Sequence, residues 1–179
     1  MNEILEKLGQ CGIVPVVVLN DSKDAAPLAD ALCAGGLACA EVTFRTEAAG
    51  AKFIVSPGLD PVIVRYCLEK EIPVTPGVVT PSEMAQAVAL GLSLVKFFPA
   101  EPSGGLPMIH ALAAAYTNLK FMPTGGINAN NVKDYLKDDK IFACGGSCLE
   151  KGALVEEGNF EKIKELTREA ANIVEEIRG

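Results

Sequence analysis

The chain alternates, almost to its end, between short apolar runs and helical stretches, and that alternation confines it to folds built on a parallel sheet. Seven strands are expected, at 13–19, 39–44, 52–56, 73–76, 93–98, 119–123 and 140–144. Helices are expected between them at 21–34, 61–70, 81–90, 106–116 and 129–136, with a closing helix at 159–177 and an amphipathic opening helix in residues 1–10. The helix starts carry their own signals. Asp60-Pro61 offers a cap followed by proline at the first helical position, and Thr80-Pro81-Ser82-Glu83 is a capping box. Gly35-Gly36 and Gly91 supply stops. After five of the seven strands comes proline, glycine or a small residue: Ser56-Pro57-Gly58, Thr75-Pro76-Gly77, Phe98-Pro99-Ala100, Pro123-Thr124-Gly125-Gly126 and Cys144-Gly145-Gly146-Ser147. Parallel strands joined by helices form a doubly wound sheet or a barrel. No GxGxxG follows the first strand, which weakens the dinucleotide-binding alternative. Functional-looking residues at many strand ends favour a β/α barrel of the TIM type, whose chemistry sits at those ends.

Composition narrows the function. With 179 residues, 49% hydrophobic and 22% charged, the chain is expected to form one domain over 1–179, neither disordered nor coiled coil. Its net charge of −7 argues against a nucleic-acid surface and against attraction to anionic lipid, so an anionic substrate needs a local positive site. The apolar run at 13–19 is too short for a membrane helix of ~20 residues. Six scattered cysteines without a CxxC pair, beside a single histidine, make a zinc site hard to build and suit reduced thiols in the cytoplasm.

Three places carry chemistry. Lys96 sits in the apolar stretch Leu94-Val95-Lys96-Phe97-Phe98, and alternation places it on one face with Leu94 and Phe98. Burial disfavours a charged ammonium and so suits an imine-forming lysine; the plainer alternative is a lysine at a strand edge or paired with a buried carboxylate. Glu41, Thr43 and Arg45 share a face of the second strand. Facing inward, the carboxylate can move protons and the guanidinium can grip a substrate carboxylate; facing solvent, they are a surface ion pair. Thr124-Gly125-Gly126 and Gly145-Gly146-Ser147 place a glycine pair after each of the last two strands, the usual phosphate cradle of such barrels. His110 reads as a helix-surface or packing residue, and Phe97, Phe98, Phe121 and Phe142 as core.

These stretches are the ones that resemble a known family. Glu41-Val42-Thr43-Phe44-Arg45-Thr46, Ser56-Pro57-Gly58, Pro76-Gly77-Val78, Val95-Lys96-Phe97-Phe98-Pro99-Ala100-Glu101, Pro123-Thr124-Gly125-Gly126-Ile127 and Gly145-Gly146-Ser147 run in the order seen in bacterial 2-keto-3-deoxy-6-phosphogluconate (KDPG) aldolases, many of which also act on 4-hydroxy-2-oxoglutarate (KHG). The resemblance covers nearly the whole chain. It implies a (βα)8 barrel, a homotrimer and a class I aldolase with no metal or other cofactor. KDPG would be cleaved reversibly to pyruvate and D-glyceraldehyde 3-phosphate, and 4-hydroxy-2-oxoglutarate to pyruvate and glyoxylate. By matching motif, Lys96 forms the imine and Glu41 is the general acid/base. Arg45 contacts the substrate carboxylate, Pro76 and Thr124 line the pyruvate pocket, and Gly125, Gly126, Gly146 and Ser147 hold the phosphate.

One departure stands out. The family carries a further helix, strand and helix between the glutamate strand and the Ser-Pro-Gly strand, and that strand ends in a threonine-bearing motif for the pyruvate carboxylate. Here 46–51 passes directly into 52–55. Six extended residues span at most ~21 Å, whereas a parallel crossover takes about a dozen residues or more. Seven strands are therefore readable, with one βα unit of about 30 residues absent. Either the unit is left out of the sequence as written, which the undisturbed register elsewhere favours, or the deletion is genuine. A genuine deletion raises an alternative function: an impaired barrel remnant that binds phosphorylated ligands or only oligomerises.

Overall fold

A computed structural model of the chain describes residues 3–17, 21–42, 52–146 and 152–179. In chain order these form α1 (Glu3–Cys11), β1 (Ile13–Val17), α2 (Ala25–Gly35), β2 (Glu41–Val42), β3 (Ile54–Ser56), α3 (Pro61–Glu69), β4 (Val74–Val78), α4 (Pro81–Ala89), β5 (Leu94–Phe97), α5 (Gly105–Ala113), β6 (Lys120–Pro123), α6 (Val132–Lys137), β7 (Cys144–Gly146), α7 (Gly152–Glu156) and α8 (Phe160–Arg178). Every strand pairing is parallel. One sheet runs β2-β1-β7 and the other β3-β4-β5-β6. Single bridges at Phe121–Ile141 and Thr124–Gly145 join β6 to β7. The continuous order is thus β2-β1-β7-β6-β5-β4-β3, and among the described residues no pairing links β2 to β3. The short connection at 46–51 lies outside the described residues.

The sheet has two packed faces because its strands alternate. Ile13, Val17, Val74, Val78, Val95, Phe97 and Phe121 belong to the large core shared with the helices. Val14, Leu94 and Met122 point the other way, into a small apolar interior with Ala143. Leu8 of α1 belongs to this interior cluster. Helix starts follow the local chemistry. Asp60 accepts the Val62 N–H at 2.8 Å, and Glu83 accepts the Thr80 N–H at 2.8 Å while Thr80 Oγ1 accepts the Glu83 N–H at 3.4 Å. Gly36, at φ 102°, ends α2 in a left-handed cap.

Two expectations shift. The second strand, expected at 39–44, begins at Glu41 and is described through Val42, with 43–44 outside the described residues. The last strand is Cys144–Gly146, so Gly145 and Gly146 lie inside it instead of following it. Ile141 keeps only a bridge. The apolar run Ile141-Phe142 imitates a strand in sequence, but the pairing goes to the glycines because Thr124 Oγ1 fills the place a Cβ on Gly145 would need. The five-residue α7 went unforeseen.

Candidate active site

Glu41 on β2 pairs in register with Val16 of β1, and Lys96 on β5 sits between Gly77 of β4 and Met122 of β6. Three strands separate β2 from β5 along the sheet, so their side chains can meet only across the interior. They do: Lys96 Nζ donates to Glu41 Oε1 at 2.8 Å, with side chains 6% and 10% exposed. The strand-edge alternative for Lys96 is thereby set aside, and a buried carboxylate is its partner. Phe98, expected in the core, is half-buried and lays its ring 5.2 Å from Nζ.

Among the described residues, two buried polar atoms have no partner, one of them on the pair itself. Glu41 Oε2 and Thr124 Oγ1 are both buried without a hydrogen bond. An unsatisfied buried group costs about 1–3 kcal/mol, and such a cost is tolerated where a ligand removes it. The set combines an amine, a carboxylate within proton-transfer distance of it and a hydroxyl. Thr75, 2% exposed, shares the inward side of β4 with Gly77, and sequence reasoning missed it; its place between two helix-facing valines was the available signal. By the same alternation Pro76 falls on the side of Val74 and Val78, turned away from Lys96.

The turn after β6 is held from behind. The Ala100 N–H donates to the Thr124 carbonyl at 2.7 Å, and the Glu101 N–H to that of Gly125 at 3.0 Å. Asn128 Nδ2 and Asn131 Nδ2 each donate to the Gly126 carbonyl at 3.0 Å. Gly125 and Gly126 adopt φ of 96° and 85°, which side chains rarely tolerate. In a trans peptide the N–H opposes the carbonyl, so the Gly126 N–H points away from the Glu101 wall. Thr124 bridges Gly145, and Gly146 ends the adjacent strand paired with Pro15. Thr124, Gly125, Gly126 and Gly146 are therefore gathered at one end of the sheet. Arg45 and Ser147 lie outside the described residues.

Elsewhere, the single histidine, His110, is an exposed partner of Asp138. Cys11 and Cys39 are in contact; a hydrogen bond from Cys39 is the main cause that lowers the Cys11 thiol to about 7, and the same bond and burial push Cys39 up.

Comparison with known proteins matches this geometry to a family. A sequence model of the aldolases described as "KDPG and KHG aldolase" matches residues 4–49 and 46–166. The 2-dehydro-3-deoxy-phosphogluconate aldolase of Haemophilus influenzae is 41% identical over 205 residues, covering 96% of this chain and 97% of that protein. Since the chain has 179 residues, at least 26 positions of that alignment have no residue of this chain opposite them. The crystal structure of KDPG aldolase from Legionella pneumophila, with pyruvate captured as a covalent carbinolamine intermediate, aligns with a TM-score of 0.88 at 31% identity, covering 94% of this chain and 98% of that one. That of Zymomonas mobilis ZM4 with 3-phosphoglycerate aligns with a TM-score of 0.86 at 31% identity, covering 97% of each.

Proposed function

The chain belongs to the family of KDPG and KHG aldolases, and from that premise we propose how its own residues perform a class I aldol cleavage of 2-dehydro-3-deoxy-6-phosphogluconate to pyruvate and D-glyceraldehyde 3-phosphate. The observation that carries the reading is the buried Lys96–Glu41 pair, whose second carboxylate oxygen has no partner among the described residues. The Lys96 amine, after giving a proton to Glu41, adds to the ketone carbon of the substrate. Glu41 returns a proton to the new hydroxyl, water leaves, and an imine remains. Glu41, a free carboxylate again, then takes the proton from the 4-hydroxyl and the C3–C4 bond breaks. Its electron pair moves onto the imine nitrogen as an enamine, and the aldehyde departs. Protonation of the enamine carbon and hydrolysis release pyruvate and restore Lys96.

The rest of the site supplies binding. Thr124 Oγ1 is a donor for the pyruvyl oxygens, and Arg45 and the backbone beside Pro76 complete that pocket. Gly125, Gly126, Gly146 and Ser147 take the phosphate, as backbone N–H groups do at glycine turns. The same pyruvyl end is present in 4-hydroxy-2-oxoglutarate, a second substrate that would leave the phosphate cradle unused. Trimeric assembly in the cytoplasm belongs to this reading. Exposed Val62, Ile63 and Tyr66 on α3 form an apolar surface of the kind subunit contacts cover, and no helix among the described residues is long and apolar enough to cross a membrane. Borohydride reduction in the presence of pyruvate tests the chemistry: a reduced adduct on Lys96 is expected. Cleavage activity without an adduct, or an adduct on another lysine, overturns it.

A further inference from the structure

Tyr135 of α6 takes no part in the chemistry above, yet it is 2% exposed and its hydroxyl donates to Glu101 Oε1. Glu101 opens the 3-10 turn Glu101–Ser103 after β5 and backs directly onto the glycine turn. A Cβ on Gly126 would come within 2.5 Å of Glu101 Cβ and 2.6 Å of its Cγ. On the other side, a Cβ on Gly105 would come within 2.9 Å of the Tyr135 hydroxyl and 3.0 Å of Glu101 Oε1. Two close approaches at glycines thus keep the side chain of Glu101 between the turn and α6. Burial, then the neighbouring carboxylate, pushes the Tyr135 hydroxyl up, so it stays protonated as the donor. A carboxylate beside a phosphate cradle repels the ligand unless something holds it aside.

We propose that Tyr135 is a positioning residue that draws the Glu101 carboxylate off the phosphate cradle at Gly125–Gly126, and so sets affinity for the phosphorylated end of the substrate. The inference rests on the phosphate reading of that turn given above. The expected size is bounded by the full solvent-screened repulsion between one carboxylate and a phosphate dianion several ångströms apart, about three- to tenfold in affinity.

The test is calorimetric binding of inorganic phosphate, with steady-state kinetics on the phosphorylated substrate and on 4-hydroxy-2-oxoglutarate. Tyr135→Phe should weaken phosphate binding and raise KM for the phosphorylated substrate by about three- to tenfold, with kcat and the KM for 4-hydroxy-2-oxoglutarate unchanged. Adding Glu101→Gln to Tyr135→Phe should bring both values back to within about twofold of wild type. Equal effects on the two substrates, or no rescue, overturn the inference. If Tyr135→Phe does not fold, Glu101→Gln alone decides: unchanged or tighter phosphate binding supports the inference, and weaker binding shows Glu101 supporting the cradle and overturns it. A wild-type protein that traps pyruvate but binds no phosphate overturns the phosphate reading and this inference together. Wild-type phosphate binding that Tyr135→Phe leaves unmoved overturns the inference alone.

Discussion

Lys96→Met separates chemistry from stability at the same side chain. Methionine matches the length of the lysine in an apolar strand, so the substitution leaves no large cavity. It does remove the hydrogen bond to Glu41 Oε1, and Oε2 has no partner among the described residues, so the carboxylate would stand 8% exposed with neither oxygen paired among them. Breaking a buried pair in this way costs about 3–5 kcal/mol, a large part of the ~5–15 kcal/mol of a typical domain. At ~2–4 °C per kcal/mol for a chain of this size, the midpoint of unfolding should fall by roughly 6–20 °C. The double variant Glu41→Gln/Lys96→Met carries no buried charge and should recover most of that loss. Both variants should be inactive, because neither holds the amine that forms the imine. Thermal unfolding, pyruvate release and borohydride trapping read the three quantities separately. Turnover above about a thousandth of wild type, after correction for the folded fraction, would mean that another lysine, Lys52 for instance, is the nucleophile. A Lys96→Met protein as stable as wild type would refute the buried ion pair itself.

Glu41→Gln should lower kcat by ~10²–10⁴ while KM changes much less; a raised KM with kcat intact would make Glu41 a binding group instead of a proton carrier. Gly126→Ala forces a side chain into φ 85° and onto Glu101, so phosphate affinity should fall while pyruvate is still trapped on Lys96. Trapping lost together with phosphate binding would show that the turn supports the whole site. Because the hydrogen bond from Cys39 lowers Cys11 to about 7, its thiolate fraction grows as pH rises through 7, and alkylation of Cys11 should accelerate across that pH and level off above it. In Cys39→Ala the rise should move toward the ordinary ~8.5, followed by mass spectrometry of the labelled peptide; an unmoved profile would discard the contact as the cause.

What was legible in the sequence was what local rules determine. The capping chemistry at Asp60 and Thr80 marked helix starts, and alternation around Lys96 assigned it the face it occupies. Pairing between distant strands left no such trace. That Glu41 and Lys96 meet follows from the arc of strands β2-β1-β7-β6-β5 and not from either segment, because 55 residues separate them. Gly145 and Gly146 read as a loop because glycine weakens a strand, and only the Thr124 side chain across the bridge explains their pairing. Pro76, assigned to the pyruvate pocket by the resemblance alone, falls by alternation on the side of Val74 and Val78, because β4 continues through Pro76 and Gly77 to Val78. The contact of Tyr135 with Glu101 was invisible, since it joins α6 to a turn 34 residues earlier and Glu101 stood only as the last residue of the Lys96 motif.

The shortened connection between β2 and β3 bears on whether the site works, and the strand order answers much of that question. The family model matches in two pieces that meet at residues 46–49, and β2 and β3 are the strands left without a mutual pairing among the described residues. The unit present in relatives therefore belongs at that seam. Lys96, Glu41, Thr124 and the glycine turn all lie on the arc β2-β1-β7-β6-β5, which is continuous without it. The buried pair at 2.8 Å depends on four strand junctions in that arc and on none at the seam. The Lys96–Glu41 pair and the glycine turn are thus positioned without the missing unit, and this geometry is more than a remnant that only oligomerises requires. What the seam withdraws is the threonine-bearing strand end that the family resemblance sets against the pyruvate carboxylate. With it goes a neighbour for β2 and β3, whose edges, unpaired with each other among the described residues, are surfaces on which other strands can pair.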